Sequence, residues 1–269
     1  MEAGYFTVNG RKSEDINLFI EDRPDIQTPK RRVSFVSPVS YEGELVYDDD
    51  GYEPTEFELK CFYDGSSHGD DFAKLSEARN NINALFGHGK GEWMSFIPYF
   101  DEEHSYQIIM MEIKFENKSY YEGCMSVTIK LKCQPYKYLI TNELEISSNY
   151  VLNNPTGYIA KPVFIIAGAR GEFVLTTNKT IIRFKGLYNE TLYVDSNTYN
   201  VFGQETTGGI SNWNDRTIGK EFPLFIPGKN TIIFDKPQGD HSSIVPGTIH
   251  VRPNWRAVSY THLRAHETV

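Results

Sequence analysis

Residues 125–133 constrain the fold more than any other stretch of this chain. Met125, Val127, Ile129, Leu131 and Cys133 alternate with Ser126, Thr128, Lys130 and Lys132. A two-residue period sends the two sets to opposite faces of a strand. A slip of one residue would bury both lysines, so the segment must pair in one register over an apolar layer. Residues 56–63 read as a second such strand: Phe57, Leu59 and Cys61 face one way, and Glu56, Glu58 and Lys60 the other. The 17 Phe and 17 Tyr among 269 residues agree, because aromatic side chains favour pleated, half-buried surfaces.

Shorter signals extend the reading in both directions. Residues 5–8 form a short strand that ends at Asn9-Gly10, a strong tight-turn pair. Strands are expected near 16–21, 31–36, 92–97 and 106–115. Pro24 and Pro29 bracket a loop, and Asp48-Asp49-Asp50-Gly51 reads as an acidic turn after a strand at 44–47. One helix is predicted, over residues 71–86, with Phe72, Leu75, Arg79, Ile82 and Leu85 in one stripe and Gly87 and Gly89 ending it. Beyond residue 156, strands are expected at 163–167, 173–176, 180–184, 191–195, 231–234 and 248–252. Their regular spacing argues a β-sandwich. Residues 201–213, rich in Gly and Thr, read as an exposed loop.

The chain therefore divides into an N-terminal domain at 1–140, a polar linker or crossing segment at 141–156, and a sandwich at 157–257. Residues 258–269 begin with Val258-Ser259-Tyr260-Thr261-His262. They resemble a translated sequencing adapter and are expected to be non-native. His262 and His266 are accordingly set aside as metal ligands.

Charge separates the two halves. Residues 1–137 hold 25 acidic and 15 basic side chains, and residues 138–269 hold 11 and 12. An N-terminal half with a net charge of −10 is unsuited to gripping phosphate backbones. Cys61, Cys124 and Cys133 lack metal-ligand spacing, and their odd number is no disulfide framework. Each is expected to be a small buried apolar group. Neither a secretory leader nor a membrane-length apolar run is visible, so folding in a reducing cytoplasm is expected.

Candidate chemistry is sparse. Counting twelve from Asp48 lands on Leu59, where a calcium loop needs glutamate. Asp101-Glu102-Glu103-His104 holds acid–base groups but reads as a solvated loop between strands. His68 beside Ser66 and Ser67 reads as part of a strand-to-helix loop. The nucleophile elbow, the phosphate loop and the dinucleotide fingerprint are all missing from the chain. No catalytic residue, metal or cofactor is expected. Tyr199 and Trp213, taken as exposed, are the candidate sugar contacts.

The ordered motifs say more. Phe6-Thr7-Val8-Asn9-Gly10, followed by Ser13 and Glu14, resembles the opening of the siphophage distal tail protein (Dit) family, the siphovirus-type tail component. A helix followed by Trp93-Met94-Ser95-Phe96 is similar to that family's helix-then-strand step. Cys133-Gln134-Pro135-Tyr136-Lys137-Tyr138 is similar to the close of its first domain. Pro162-Val163-Phe164, Leu192-Tyr193-Val194-Asp195, Phe222-Pro223-Leu224 and Pro227-Gly228-Lys229-Asn230 then follow in family order. Pro253-Asn254-Trp255-Arg256 matches its end.

The resemblance implies a mainly β protein: a sandwich-like, ring-forming first domain with one helix, then a galectin-like sandwich. It also implies a structural virion protein, not an enzyme, that forms a hexameric ring at the tail tip. The implied partners are further copies of itself, the tail tube protein, the tail-tip or baseplate hub and a receptor-binding protein. DNA would pass through the ring without specific binding, along a channel that the acidic first domain could line, and no membrane is involved. A host cell-wall glycan adhesin is the alternative.

Overall fold

The structure, a computed structural model, describes residues 4–66, 72–87, 91–117, 123–204, 209–219 and 221–259. They form two compact units, residues 139–257 and the remainder on either side. In the first unit, strands β1 (Phe6–Val8), β2 (Arg11–Lys12), β3 (Leu18–Asp22), β4 (Arg31–Val36), β5 (Leu45–Tyr52) and β6 (Thr55–Tyr63) precede helix α1 (Phe72–Gly87). Strands β7 (Met94–Pro98), β8 (His104–Asn117) and β9 (Met125–Leu139) follow it.

The two alternating segments meet as partners. β6 and β9 pair antiparallel with Phe57 opposite Leu131, Leu59 opposite Ile129 and Cys61 opposite Val127. All six side chains are buried. The other face sets Glu58 against Lys130, and the Lys130 ammonium reaches Glu56 at 3.2 Å. One register therefore satisfies the apolar row and the charged row together. The sheet runs β2-β1-β7-β8-β9-β6-β3. α1 adds Ala78, Ile82, Leu85 and Phe86 to the same core, and Phe86 lies 6.0 Å from Phe6, ring to ring. Leu75 packs at the margin, and Arg79 sits over the Phe115 ring at 5.9 Å.

The second unit is a sandwich of two sheets around one core. Its strands are β10 (Leu144–Ser147), β11 (Tyr150–Asn154), β12 (Val163–Ile166), β13 (Arg170–Thr177), β14 (Thr180–Tyr188), β15 (Thr191–Asp195), β16 (Asn200–Gln204), β17 (Ile210–Asn212), β18 (Thr217–Ile218), β19 (Gly228–Asp235) and β20 (Thr248–Arg252). One sheet runs β10-β20-β12-β15-β16-β17 and the other β11-β19-β13-β14-β18. Phe164 and Ile166 from the first share an apolar cluster with Phe173, Leu175, Phe184 and Phe234 from the second. β21 (Arg256–Val258) ends the described fold.

Two expectations are corrected, and two further segments are placed. The acidic run Asp48-Asp49-Asp50 is not a turn but part of β5. Across the hairpin, Arg31 pairs with Asp48 and Arg32 lies 3.4 Å from Asp49, so the partner strand neutralises these carboxylates. The turn lies earlier, where Ser40 and Gly43 have positive φ.

Residues 141–156, expected as a linker or crossing segment, contain β10 and β11, which belong to different sheets of the sandwich. Two of their polar residues, Ser148 and Asn154, bond the backbone. The Ser148 hydroxyl donates to the Phe234 carbonyl at 2.6 Å, and buried Asn154 donates to Tyr158 and Phe225 carbonyls.

Residues 201–213 supply β16 and β17 instead of one exposed loop, with residues 205–208 outside the described set. In the segment expected to be non-native, the described residues Val258 and Ser259 are buried in the first unit, and the Ser259 N–H donates to the Pro135 carbonyl at 2.8 Å.

Candidate functional site

The most concentrated polar chemistry lies where β7 turns into β8. Asp101 Oδ1 is 2.6 Å from His104 Nδ1. Its Oδ2 accepts the Tyr106 hydroxyl at 2.6 Å and the Lys137 ammonium, from β9, at 2.6 Å. The Asp101, His104 and Lys137 side chains are only 16%, 20% and 13% exposed. The solvated-loop reading is therefore corrected for Asp101 and His104, although Glu102 and Glu103 are exposed. The loop is tied further by Tyr99 N–H to the Tyr5 carbonyl at 3.2 Å and by Arg23 over the Phe100 ring at 4.8 Å.

Burial by itself would raise the Asp101 pKa. The hydrogen bonds from His104, Lys137 and Tyr106, with the Lys137 charge, outweigh it and hold the carboxyl well below its usual range. Burial, and then the bond to Asp101, push the Tyr106 phenol upward. Near neutral pH the carboxylate thus stays an acceptor and the phenol a donor. This suits a clasp that holds the β7–β8 turn to β8 and β9 better than it suits proton transfer.

The remaining motif positions of the first unit do structural work. Asn9 and Gly10 have φ of 48° and 78°, the left-handed pair that a two-residue turn needs. Ser13 is fully buried; its hydroxyl accepts the Phe6 N–H at 2.9 Å, while its own N–H donates to the Phe6 carbonyl. Trp93 is partly buried just ahead of β7. Cys133 is buried, and burial pushes its thiol up to about 12. Pro135 is buried, and Tyr136 meets Tyr52 edge-on at 5.8 Å.

In the second unit the centre of the motif set is Asn230. Its side chain is fully buried and bonded at both ends. Oδ1 accepts from Ile226 N–H at 2.8 Å and Asn178 Nδ2 at 2.9 Å, and Nδ2 donates to the Ile226 and Gly228 carbonyls at 2.8 Å. Gly228 has φ of 82°, which closes this turn. Asp195 accepts Asn197 N–H at 2.8 Å and the Thr198 hydroxyl at 2.9 Å, fixing the β15–β16 turn. Pro162, Pro223 and Pro253 are buried. Trp255 packs on Phe225 at 5.4 Å, and the Arg256 guanidinium donates to the Ile159 carbonyl at 2.5 Å.

The two sugar-contact candidates part company. Tyr199 is 54% exposed, with the Lys161 ammonium 4.9 Å from its ring. Trp213 is 4% exposed and cannot offer a face to a sugar. Its ring fills the space above Gly203, where a Cβ would lie 2.1 Å from a ring atom. His68, His262 and His266 lie outside the described residues. Among the described residues, no group of three or more His, Cys, Asp and Glu is placed to hold a metal. No described helix is long and apolar enough to cross a membrane.

An eight-stranded sheet with one helix, followed by a two-sheet sandwich, has the fold of a phage distal tail protein. One similar solved structure is that of SPP1 Dit (gp 19.1), described as a paradigm of the hub adsorption apparatus in phages infecting Gram-positive bacteria. The likeness has a TM-score of 0.62 and covers 93% of this chain and 98% of that one, at 12% sequence identity. No protein-family model matches the chain, and no curated protein matches it.

Proposed function

We propose that this chain is a structural protein of a phage tail tip, a distal tail protein whose first unit forms a hexameric ring. The carrying observation is the likeness to SPP1 Dit over nearly the full length of both chains. The ordered motifs support the same reading: Ser13, Gly10, Asp195, Gly228 and Asn230 each secure a turn or strand junction. In this role the ring joins the tail tube to the tail-tip or baseplate hub, and DNA passes through it during ejection. The net charge of −10 over residues 1–137 suits a channel wall that DNA slides past without adhering.

The test is to mix the full chain with a tail tube protein from the same phage genome and image the product by electron microscopy. The reading expects an added ring at one tube end only. Binding along the tube sides, or none, would contradict it. The second unit then serves as an outward dock with no catalytic role. The glycan-adhesin alternative keeps Tyr199 but loses Trp213.

A further inference from the structure

The hairpin β4–β5 is bare on both faces. Neighbouring residues in a strand point to opposite sides. Yet Phe35 and Val36 are 61% and 46% exposed, and Val46 and Tyr47 are 61% and 57% exposed. Val39, Tyr41 and Leu45, in and beside the connecting turn, are exposed as well. The two strands form a sheet of their own. A lone two-stranded ribbon is marginal in water. These seven side chains together expose on the order of 700 Å² of surface. That area is divided between the two faces of the hairpin and its turn. It approaches the roughly 800 Å² that each partner contributes to a standard interface. The occupant is therefore protein-sized.

Charge indicates which surface fits. Glu42 and Glu44 flank the tip, are exposed, and have no ion-pair partner among the described residues. Several lysines of the same unit already face carboxylates: Lys60 with Asp22, Lys114 with Glu112, Lys130 with Glu56 and Lys137 with Asp101. Arg11 and Lys12 differ. They are adjacent and exposed on the edge strand β2, with no ion-pair partner among the described residues. Trp93 belongs to the same end of the sheet. Asn9, just past β1, bonds Ser95 through its backbone and side chain at 2.8 Å, and Trp93 precedes Ser95 by two residues.

We infer that the hairpin tip of one copy docks on the Arg11–Lys12–Trp93 end of a second copy. Glu42 and Glu44 meet the two cations, and the apolar tip covers the indole and the β2 edge. The two surfaces are different, so the contact is head-to-tail, the kind that builds rings when the rotation closes. This deepens the ring reading and rests on it for closure.

The experiment compares four full-length proteins by size-exclusion chromatography with light scattering over a concentration series: wild type, Arg11→Glu/Lys12→Glu, Glu42→Lys/Glu44→Lys, and all four changes together. Wild type should self-associate. Each reversal should weaken association by about tenfold or more, more so at low salt, and the combination should recover it. A fifth protein, Phe35→Ser/Val39→Ser/Tyr41→Ser, should be monomeric with an unchanged melting profile. If wild type assembles and every variant assembles equally well, the docking is wrong and the ring reading stands. If both reversals weaken assembly but their combination does not restore it, the proposed pairing is wrong. A wild type that is monomeric at every concentration overturns the contact and contradicts the ring reading with it.

Discussion

Replacing Asp101 by asparagine removes one charge and keeps the shape of the side chain. In the folded protein three donors converge on this carboxylate, each at 2.6 Å, from His104, Tyr106 and Lys137. An asparagine oxygen can serve at most two of them, and its amide nitrogen opposes the third. The Lys137 ammonium, 13% exposed, loses its counter-charge. Removing one member of a fully buried ion pair costs about 3–5 kcal/mol. Residual solvent access to all three groups lowers the expectation here to about 2–4 kcal/mol. For a unit of this size that is a fall of about 7–14 °C in its melting midpoint. Urea melts followed by circular dichroism would measure it, with Glu103→Gln, an exposed neighbour, as a control expected within about 0.5 kcal/mol of wild type. The dependence on pH has a definite sign. The folded-state pKa of Asp101 is depressed, so its contribution is present above about pH 4 and is lost as pH falls toward the folded value. The asparagine variant should therefore converge on wild type in acid. A destabilisation under 0.5 kcal/mol at neutral pH, or a gap constant down to low pH, would refute the clasp.

Three further outcomes follow from the same packing. Asn230→Ala should cost about 2–4 kcal/mol in the second unit, because the Ile226 amide and the Ile226 and Gly228 carbonyls lose a buried partner; a melt of the variant checks this. Gly203→Ala should destabilise by about 1–3 kcal/mol, since its Cβ would meet the Trp213 ring at 2.1 Å, and a shift in tryptophan fluorescence should accompany the loss. On the alkaline side, Cys61, Cys133 and Tyr106 all have raised folded-state pKa values. Their contribution is complete below about pH 8.5 and declines as pH rises through the folded values, so urea midpoints should fall between pH 9 and about 12. An unchanged midpoint across that range would contradict their burial.

Much of the sheet was legible because its signals are local. The β6–β9 register follows from a two-residue period that only one alignment satisfies. The Asn9-Gly10 turn and the stripe of α1 are likewise written in adjacent residues. What escaped depends on distant partners. Asp48 and Asp49 look like a turn until Arg31 and Arg32 stand opposite them. Asp101 looks solvated until Lys137 arrives from another strand. Gly203, in a stretch whose small residues read as an exposed loop, instead makes room for the Trp213 ring. Asn230 stood out only through resemblance; its four hydrogen bonds became visible in three dimensions.

The central claim is a ring built by the first unit of this chain. Negative-stain electron microscopy of the full-length protein, across a concentration series, tests it most directly. The account predicts closed, sixfold annular particles with an open centre. Particles of single-chain size at every concentration, or open filaments in place of rings, would contradict it.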